Sequence, residues 1–492
     1  MNNKKYILFL LISIVITATS CTDSDDNLGQ LPNSDLNNFV WKGLNKYYLW
    51  KDDVPNLADD KFKNQIELNS FFVNYNQPEI LFQELLYKPI SKFPKETAVD
   101  RFSVIVDDYT YLENLFQGVF KSTGAEYNLV KKPAPSTDVY GYITYIIPNS
   151  DASSKTIKRG DIFYAVNGNT LNLSNYRALL SLDNYTLNLA DYNNGAITTN
   201  GNTIALTKTE ITENPVFINK IINIGAKKVA YLVYNSFTSN FDIELNNAFA
   251  QIKAQSATDL VLDLRYNGGG SIQTAVYLAS MITGQFNGQL FAKEKWNSSI
   301  QSYYESSSPS SLINNFTNNI DGVAINSLNL NKVYVLTTGA TASASELVIN
   351  SLKPYIDVIQ IGDDTTGKNA GSITLYDSPN YNKSGRNSAH KYAMQPLVLK
   401  LVNKLGFGEF ESGIKSSQYS IKENLANLSE LGNESETFLS IALSAIQNSR
   451  RPANKNSQDN FEYFSSSNRL VKFKNEMYLN KIPKDFSKAI AK

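Results

Sequence analysis

Between residues 216 and 451 the chain alternates short apolar runs with helix-like stretches, and this alternation limits the fold more than any other feature. KVAYLVYNSF precedes a helical pattern over 241–252, and DLVLDLRYNGGG precedes another over 272–283. NKVYVLTTG then leads into TASASELVINSLK and VIQIGDDTTGK, and residues 428–447 read as a closing helix. Such apolar runs suit strands buried on both faces, so the pattern predicts an α/β domain. At 492 residues the chain exceeds one ordinary core, and two or three domains are expected.

The flanking segments differ in character. Residues 36–99 read as a small helical cap, with Phe39, Val40, Leu44, Tyr47, Tyr48 and Trp50 near helical spacing. Residues 100–212 turn β-rich. Within them, Pro148-Asn149-Ser150, Arg159-Gly160-Asp161 and Asn167-Gly168 punctuate short apolar strands. This pattern resembles a PDZ domain. Its peptide-binding loop would lie at STGAEYNL (122–129), with Gly124 and Tyr127 as contacts, although the usual Gly-apolar-Gly-apolar form is absent. Residues 452–492 read as a polar C-terminal tail.

The start, MNNKKYILFLLISIVITATSC, has two lysines, an apolar run and small residues before Cys21, the layout of a secretory signal over 1–21. Ala18-Thr19-Ser20-Cys21 resembles a bacterial lipobox, which implies lipidation of Cys21 and a membrane anchor. A polar tether, 22–35, would follow. Its acidic TDSDD run is either an export signal to the outer surface or a solvated linker. The expected location is the outer membrane, at its periplasmic or cell-surface face. Lys+Arg and Asp+Glu are 46 each, and a neutral chain argues against nucleic acid as partner.

Three short motifs carry candidate chemistry. DLRYNGGG ends a strand in consecutive glycines that let backbone amides approach a ligand, and a helix follows. TASASE places Ser343 at the opening of a helix, where the dipole favours developing negative charge; helix capping is the other use of such residues. GDDTTGK nearly spells a phosphate-binding loop, but Asn369 stands where Ser or Thr is required and a strand-like run follows. His390 is the only histidine, either a general base or a hydrogen-bonding surface residue. One His and one Cys exclude an ordinary zinc site.

A serine hydroxyl needs a partner to take its proton, and a lysine can serve only when kept neutral. The order PDZ-like segment, DLRYNGGG, TASASE, TTGK resembles the C-terminal-processing (tail-specific) serine peptidases over residues 100–445, and the helical cap resembles that of Bacteroidota-type secreted members. The resemblance implies an α/β, ClpP/crotonase-like (ββα-type) protease domain over 213–451, with the PDZ-like domain preceding or inserted. It implies Ser343 as nucleophile, Lys368 as general base, and an oxyanion hole from Gly269 or Gly270 with Ala344. It implies no cofactor, and polypeptide substrates recognised through their C-termini. The family's glutamine four residues after the lysine is replaced by Ser372; Ser372 or Gln395 would have to supply its support, and His390 stays open as an alternative base. A catalytically inactive peptide-binding surface lipoprotein is the competing expectation.

Overall fold

The computed structural model describes residues 34–193, 195–448, 461–471, 473, 474 and 476–480. The expected signal segment, 1–21, and Cys21 lie outside the described residues. The fold is mixed α/β. Its centre is a six-stranded sheet in the order Val216–Ile224, Lys227–Tyr234, Asp259–Asp263, Lys332–Thr337, Asp357–Gly362, Tyr419–Ser420. The first pair is antiparallel and every later pair parallel. Leu260, Leu262, Val333 and Val335 face one core, and Val261, Tyr334 and Leu336 face another, so the central strands are covered on both sides. That explains their unbroken apolar runs.

Helices Asp242–Ala254, Ile272–Thr283, Ala344–Leu352 and Thr437–Ile446 cover this sheet; the closing helix is shorter than the sequence suggests. A second, antiparallel sheet runs in the order Ile313–Asn315, Leu290–Trp296, Leu397–Val402, Ala370–Ser372. KYAMQPLVLKLV forms two strands, Ala393–Gln395 and Leu397–Val402, divided at Pro396, whose missing N–H cannot serve a ladder. At the N-terminus, helix Ser34–Tyr47 buries Phe39, Val40, Leu44 and Tyr47 in the main core.

The β-rich segment builds its own sheet from Ala125–Lys131, Val139–Ile146, Ile162–Val166, Asn184–Asn193 and Ala196–Thr207, with Asn169–Thr170 paired at one side. Two boundaries differ from the sequence reading. Val104–Val106 pairs with Ala393–Gln395, so the residues just after Asp100 join the α/β body rather than the β domain. The supposed polar tail is structural as well. Glu462–Ser466 is the outermost strand of the β domain, antiparallel to Ala125–Lys131. A five-residue strand is too short to register as a period in a polar stretch.

Arg159 of the β domain locks onto the α/β body. It donates to the Ser429 carbonyl at 2.8 Å and pairs with Glu423 at 3.0 Å, and both charged side chains are nearly dry.

Candidate active site

Strands Asp259–Asp263 and Lys332–Thr337 are parallel neighbours, so the two motifs that follow them emerge at the same sheet edge. Hydrogen bonds then bind turn to turn. Thr341 donates its hydroxyl to the Leu264 carbonyl at 2.8 Å, the Thr338 hydroxyl donates to the Arg265 carbonyl, and the Ala342 N–H donates to the Asn267 carbonyl at 3.1 Å. Asn267 Oδ1 accepts the Gly269 N–H at 2.9 Å, while its Nδ2 donates to the Tyr234 carbonyl. DLRYNGGG and TASASE are thus one construction.

Ser343 caps the helix Ala344–Leu352 with φ 66° and ψ −117°. A non-glycine residue in such a conformation stores on the order of 1–3 kcal/mol of strain, which the surrounding bonds must hold. Its Oγ is fully buried and, although the Glu346 N–H faces it in a capping-box arrangement, it makes no hydrogen bond of ordinary geometry with any described residue. A buried hydroxyl without a partner is costly in a purely structural role. Gly269, at φ 112°, lies directly against it: a Cβ there would stand 2.5 Å from Ser343 Cβ, 2.8 Å from its Oγ and 3.0 Å from the Ala344 nitrogen. Of the two candidate glycines, the Gly269 N–H is committed to Asn267, and no acceptor faces the Gly270 N–H among the described residues. The Ala344 N–H, at the first helical position, has no intrahelical acceptor. Of the expected oxyanion amides, those of Gly270 and Ala344 are therefore the two without an acceptor among the described residues. Gly269→Ala is expected to reduce kcat by about 10²–10³, the scale of losing one oxyanion donor, because its Cβ must displace Ser343; a variant with at least a third of parent activity would contradict this contact.

Lys368 is fully buried. Its Nζ lies 4.6 Å from the centre of the Phe102 ring and 2.6 Å from Glu476 Oε2. Burial pushes its pKa below the ordinary lysine value, and the Glu476 carboxylate opposes that shift. Glu346, the last residue of TASASE, joins the lysine to the serine. It accepts the Ser343 N–H at 2.7 Å and the Lys368 N–H at 2.8 Å on one oxygen, and the Gly367 N–H at 2.6 Å on the other, where the Thr365 hydroxyl also donates. Burial raises the Glu346 pKa, and these four donors hold it back. One dry carboxylate thus fixes both the strained serine and the lysine loop.

The remaining expected site residues divide. Gln395 Nε2 donates to Ser372 Oγ at 2.9 Å, and Ser372 Oγ in turn donates to the Met477 carbonyl at 3.0 Å, so they form one cluster beside the lysine strand. His390 is placed elsewhere: its Nε2 pairs with Asp377 at 2.8 Å and its Nδ1 accepts the Tyr392 N–H, within an outer loop. Both ring nitrogens are engaged there and neither contacts Ser343. Gly124, at φ 82°, packs against Ser150, and the Tyr127 N–H donates to Ser467 Oγ at 3.1 Å. After GDDTTGK comes the strand Ala370–Ser372 rather than a helix, so the amides that would cradle a phosphate are missing. Among the described residues, no group of three or more His, Cys, Asp or Glu is placed to hold a metal ion.

Two participants were not assigned from the sequence. Glu346 stands three residues after Ser343, the S-x-x-E spacing of a capping box, which could have marked it. Glu476 lies 108 positions from Lys368 in a stretch without a motif, and no sequence signal points to it.

Fold and site define an α/β chain with a buried serine and lysine at one sheet edge. Residues 228–392 match the model for peptidase family S41, and residues 35–104 match that of the peptidase S41 N-terminal domain. It is similar to the chloroplastic C-terminal processing peptidase of Tetradesmus obliquus, 29% identical over 178 residues and 34% of each chain. It is also similar to the carboxyl-terminal-processing protease of a Picosynechococcus species, 28% identical over 166 residues, 34% of this chain and 35% of the other. The match spans about a third of the length of these relatives. A Bacteroides fragilis crystal structure assigned to the S41 proteases shares the fold, with a TM-score of 0.61 at 24% identity, covering 83% of this chain and 97% of that one.

Proposed function

We propose that this chain is a serine endopeptidase of the C-terminal-processing type, working through a Ser343–Lys368 pair. The observation that carries the reading is Ser343 itself: its buried hydroxyl has no hydrogen-bond partner among the described residues, while its N–H donates to the carboxylate that also accepts the Lys368 N–H. Neutral Lys368 takes the Ser343 proton as Oγ attacks the peptide carbonyl. The amides of Gly270 and Ala344 receive the oxyanion, the C–N bond breaks as the amine leaves with a proton, and water hydrolyses the ester. A cavity of about 690 Å³ adjoins the lysine loop, with Arg101, Phe102, Thr366 and Lys368 in its wall, and gives a side chain of the substrate room.

The central domain is read as ClpP/crotonase-like and the β domain as PDZ-like, presenting substrate C-termini to the cleft. The substrates are exported or surface polypeptides, and the chain is an outer-membrane lipoprotein anchored through Cys21. The test is a fluorophosphonate that labels activated serines: labelling at Ser343, lost in Ser343→Ala, is the expected result. A folded protein that fails to label, both as the parent and in the variants that free the cleft described below, would end the reading.

The lysine role gives a pH prediction. Activity requires the neutral amine, so kcat/KM rises with pH, and its midpoint should lie below the ordinary lysine value of 10.5 because burial lowers the pKa. His390→Gln should leave that profile in place. A limb that disappears in His390→Gln would transfer the base role to the histidine.

A further inference from the structure

The described residues of the segment 461–480 touch both sites that the proposed function assigns to substrate. In the β domain, Glu462–Ser466 extends the sheet at Ala125–Lys131, the strand that takes up most of the expected peptide-binding stretch 122–129. Phe464 meets Tyr176 edge to face at 5.3 Å, and Ser467 Oγ accepts the Tyr127 N–H while donating to Glu126 at 2.6 Å. Main-chain pairing to a sheet edge, with a side chain against a facing helix, is how an added peptide strand binds.

Further along, the same segment enters the cleft. Lys474 lies 3.3 Å from Glu213 and 3.8 Å from Glu126. Met477 is fully buried, and its carbonyl accepts the Ser372 N–H at 2.8 Å. Tyr478 donates its N–H to the Gly270 carbonyl at 3.2 Å and accepts the Ile272 N–H at 3.0 Å, with its ring 4.2 Å from that of Phe116. Leu479 donates to the Ser372 carbonyl at 3.1 Å. Met477 to Leu479 is therefore a strand inserted between the oxyanion glycines and the strand after Lys368. The Glu476 carboxylate sits on the amine itself. A carboxylate paired with the amine favours its charged form and occupies its hydrogens, which opposes the neutral, open state needed to take the serine's proton.

We propose that 461–480 is a tethered peptide ligand of the enzyme's own two substrate sites, and that the chain is latent until this segment leaves. The inference rests on the Ser–Lys reading. The occupant also states the chemistry the cleft accepts: an extended peptide with a carboxylate at the lysine, followed by an apolar and an aromatic residue.

The experiment uses full-length protein, a fluorogenic peptide substrate and a synthetic peptide of residues 461–480. Glu476→Gln should raise kcat/KM by roughly tenfold or more, since apparent activity scales with the open fraction. It should also move the midpoint of the pH profile downward, because the carboxylate that pulls the lysine pKa up is gone. Tyr478→Ala, which leaves Lys368 and Glu476 intact, should activate as well. Added 461–480 peptide should inhibit both variants more strongly than the parent. Fluorophosphonate labelling separates the two readings. Faster labelling of Ser343 in both variants supports latency. Equal labelling in all three proteins, or a fall in kcat for Glu476→Gln without a shift of the profile, overturns the tethered ligand while leaving the protease standing. Absence of labelling in every protein defeats the protease reading, and the inference with it.

Discussion

Ser343→Ala is expected to lower peptide hydrolysis by about 10⁴–10⁶-fold, the scale seen when the nucleophile of a serine protease is removed. Lys368→Met should cost a comparable factor, and the double variant should be little worse than either single one, because the two groups act in one proton transfer. Stability is the informative contrast. The Ser343 Oγ makes no hydrogen bond with described residues, so its loss removes an unpaired buried polar atom and should leave stability unchanged or slightly increased. A structural serine would behave in the opposite way. If Ser343→Ala melts earlier and still cleaves, the hydroxyl belongs to the scaffold.

The α/β body was legible because its strands are covered on both faces, and that burial writes continuous apolar runs into the sequence. The chemistry was legible where it is local. Ser343 opens its helix as TASASE suggests, and the glycine turn stands against it, though the free amide is that of Gly270. Contacts formed by folding distant segments together were hidden. Lys368 meets a carboxylate 108 residues away, and Arg159 joins two domains across 264 residues to Glu423. A lone Lys–Glu or Arg–Glu pair at such a separation leaves no spacing to detect. The tail misled for a related reason. Its composition is polar, but its fixed residues are a few anchors, Phe464, Lys474, Met477 and Tyr478, each satisfied by a pocket that other segments build.

Arg265→Met is expected to destabilise the folded chain by about 3–5 kcal/mol, the usual consequence of stripping one partner from a buried ionic group. Arg265 has no exposed surface. Its Nη2 donates to Asp263 at 2.7 Å, its Nη1 to Glu436 at 2.8 Å, and Glu423 stands 3.7 Å away. Methionine would fill the volume and leave Asp263 and Glu436 dry and without their cation, while Glu423 keeps Arg159. Tyr231, which donates to Asp263 at 2.7 Å, satisfies only one lone pair. Arg265→Lys should recover part of the loss, since an ammonium restores charge without the planar fork that serves two carboxylates at once. Asp263→Asn combined with Arg265→Met should cost less than the sum of the single changes, because each removes the same interaction. Urea unfolding followed by tryptophan fluorescence suits this test. All three tryptophans, Trp41, Trp50 and Trp296, lie in the N-terminal cap and the α/β body, where the network sits. The same arginine offers its carbonyl to Thr338 and begins the turn that carries Gly269 and Gly270, so activity should fall in step with stability. A loss below about 1 kcal/mol would place Arg265 among ion pairs that contribute nothing measurable, and the two motifs would then be held together by their backbone hydrogen bonds alone.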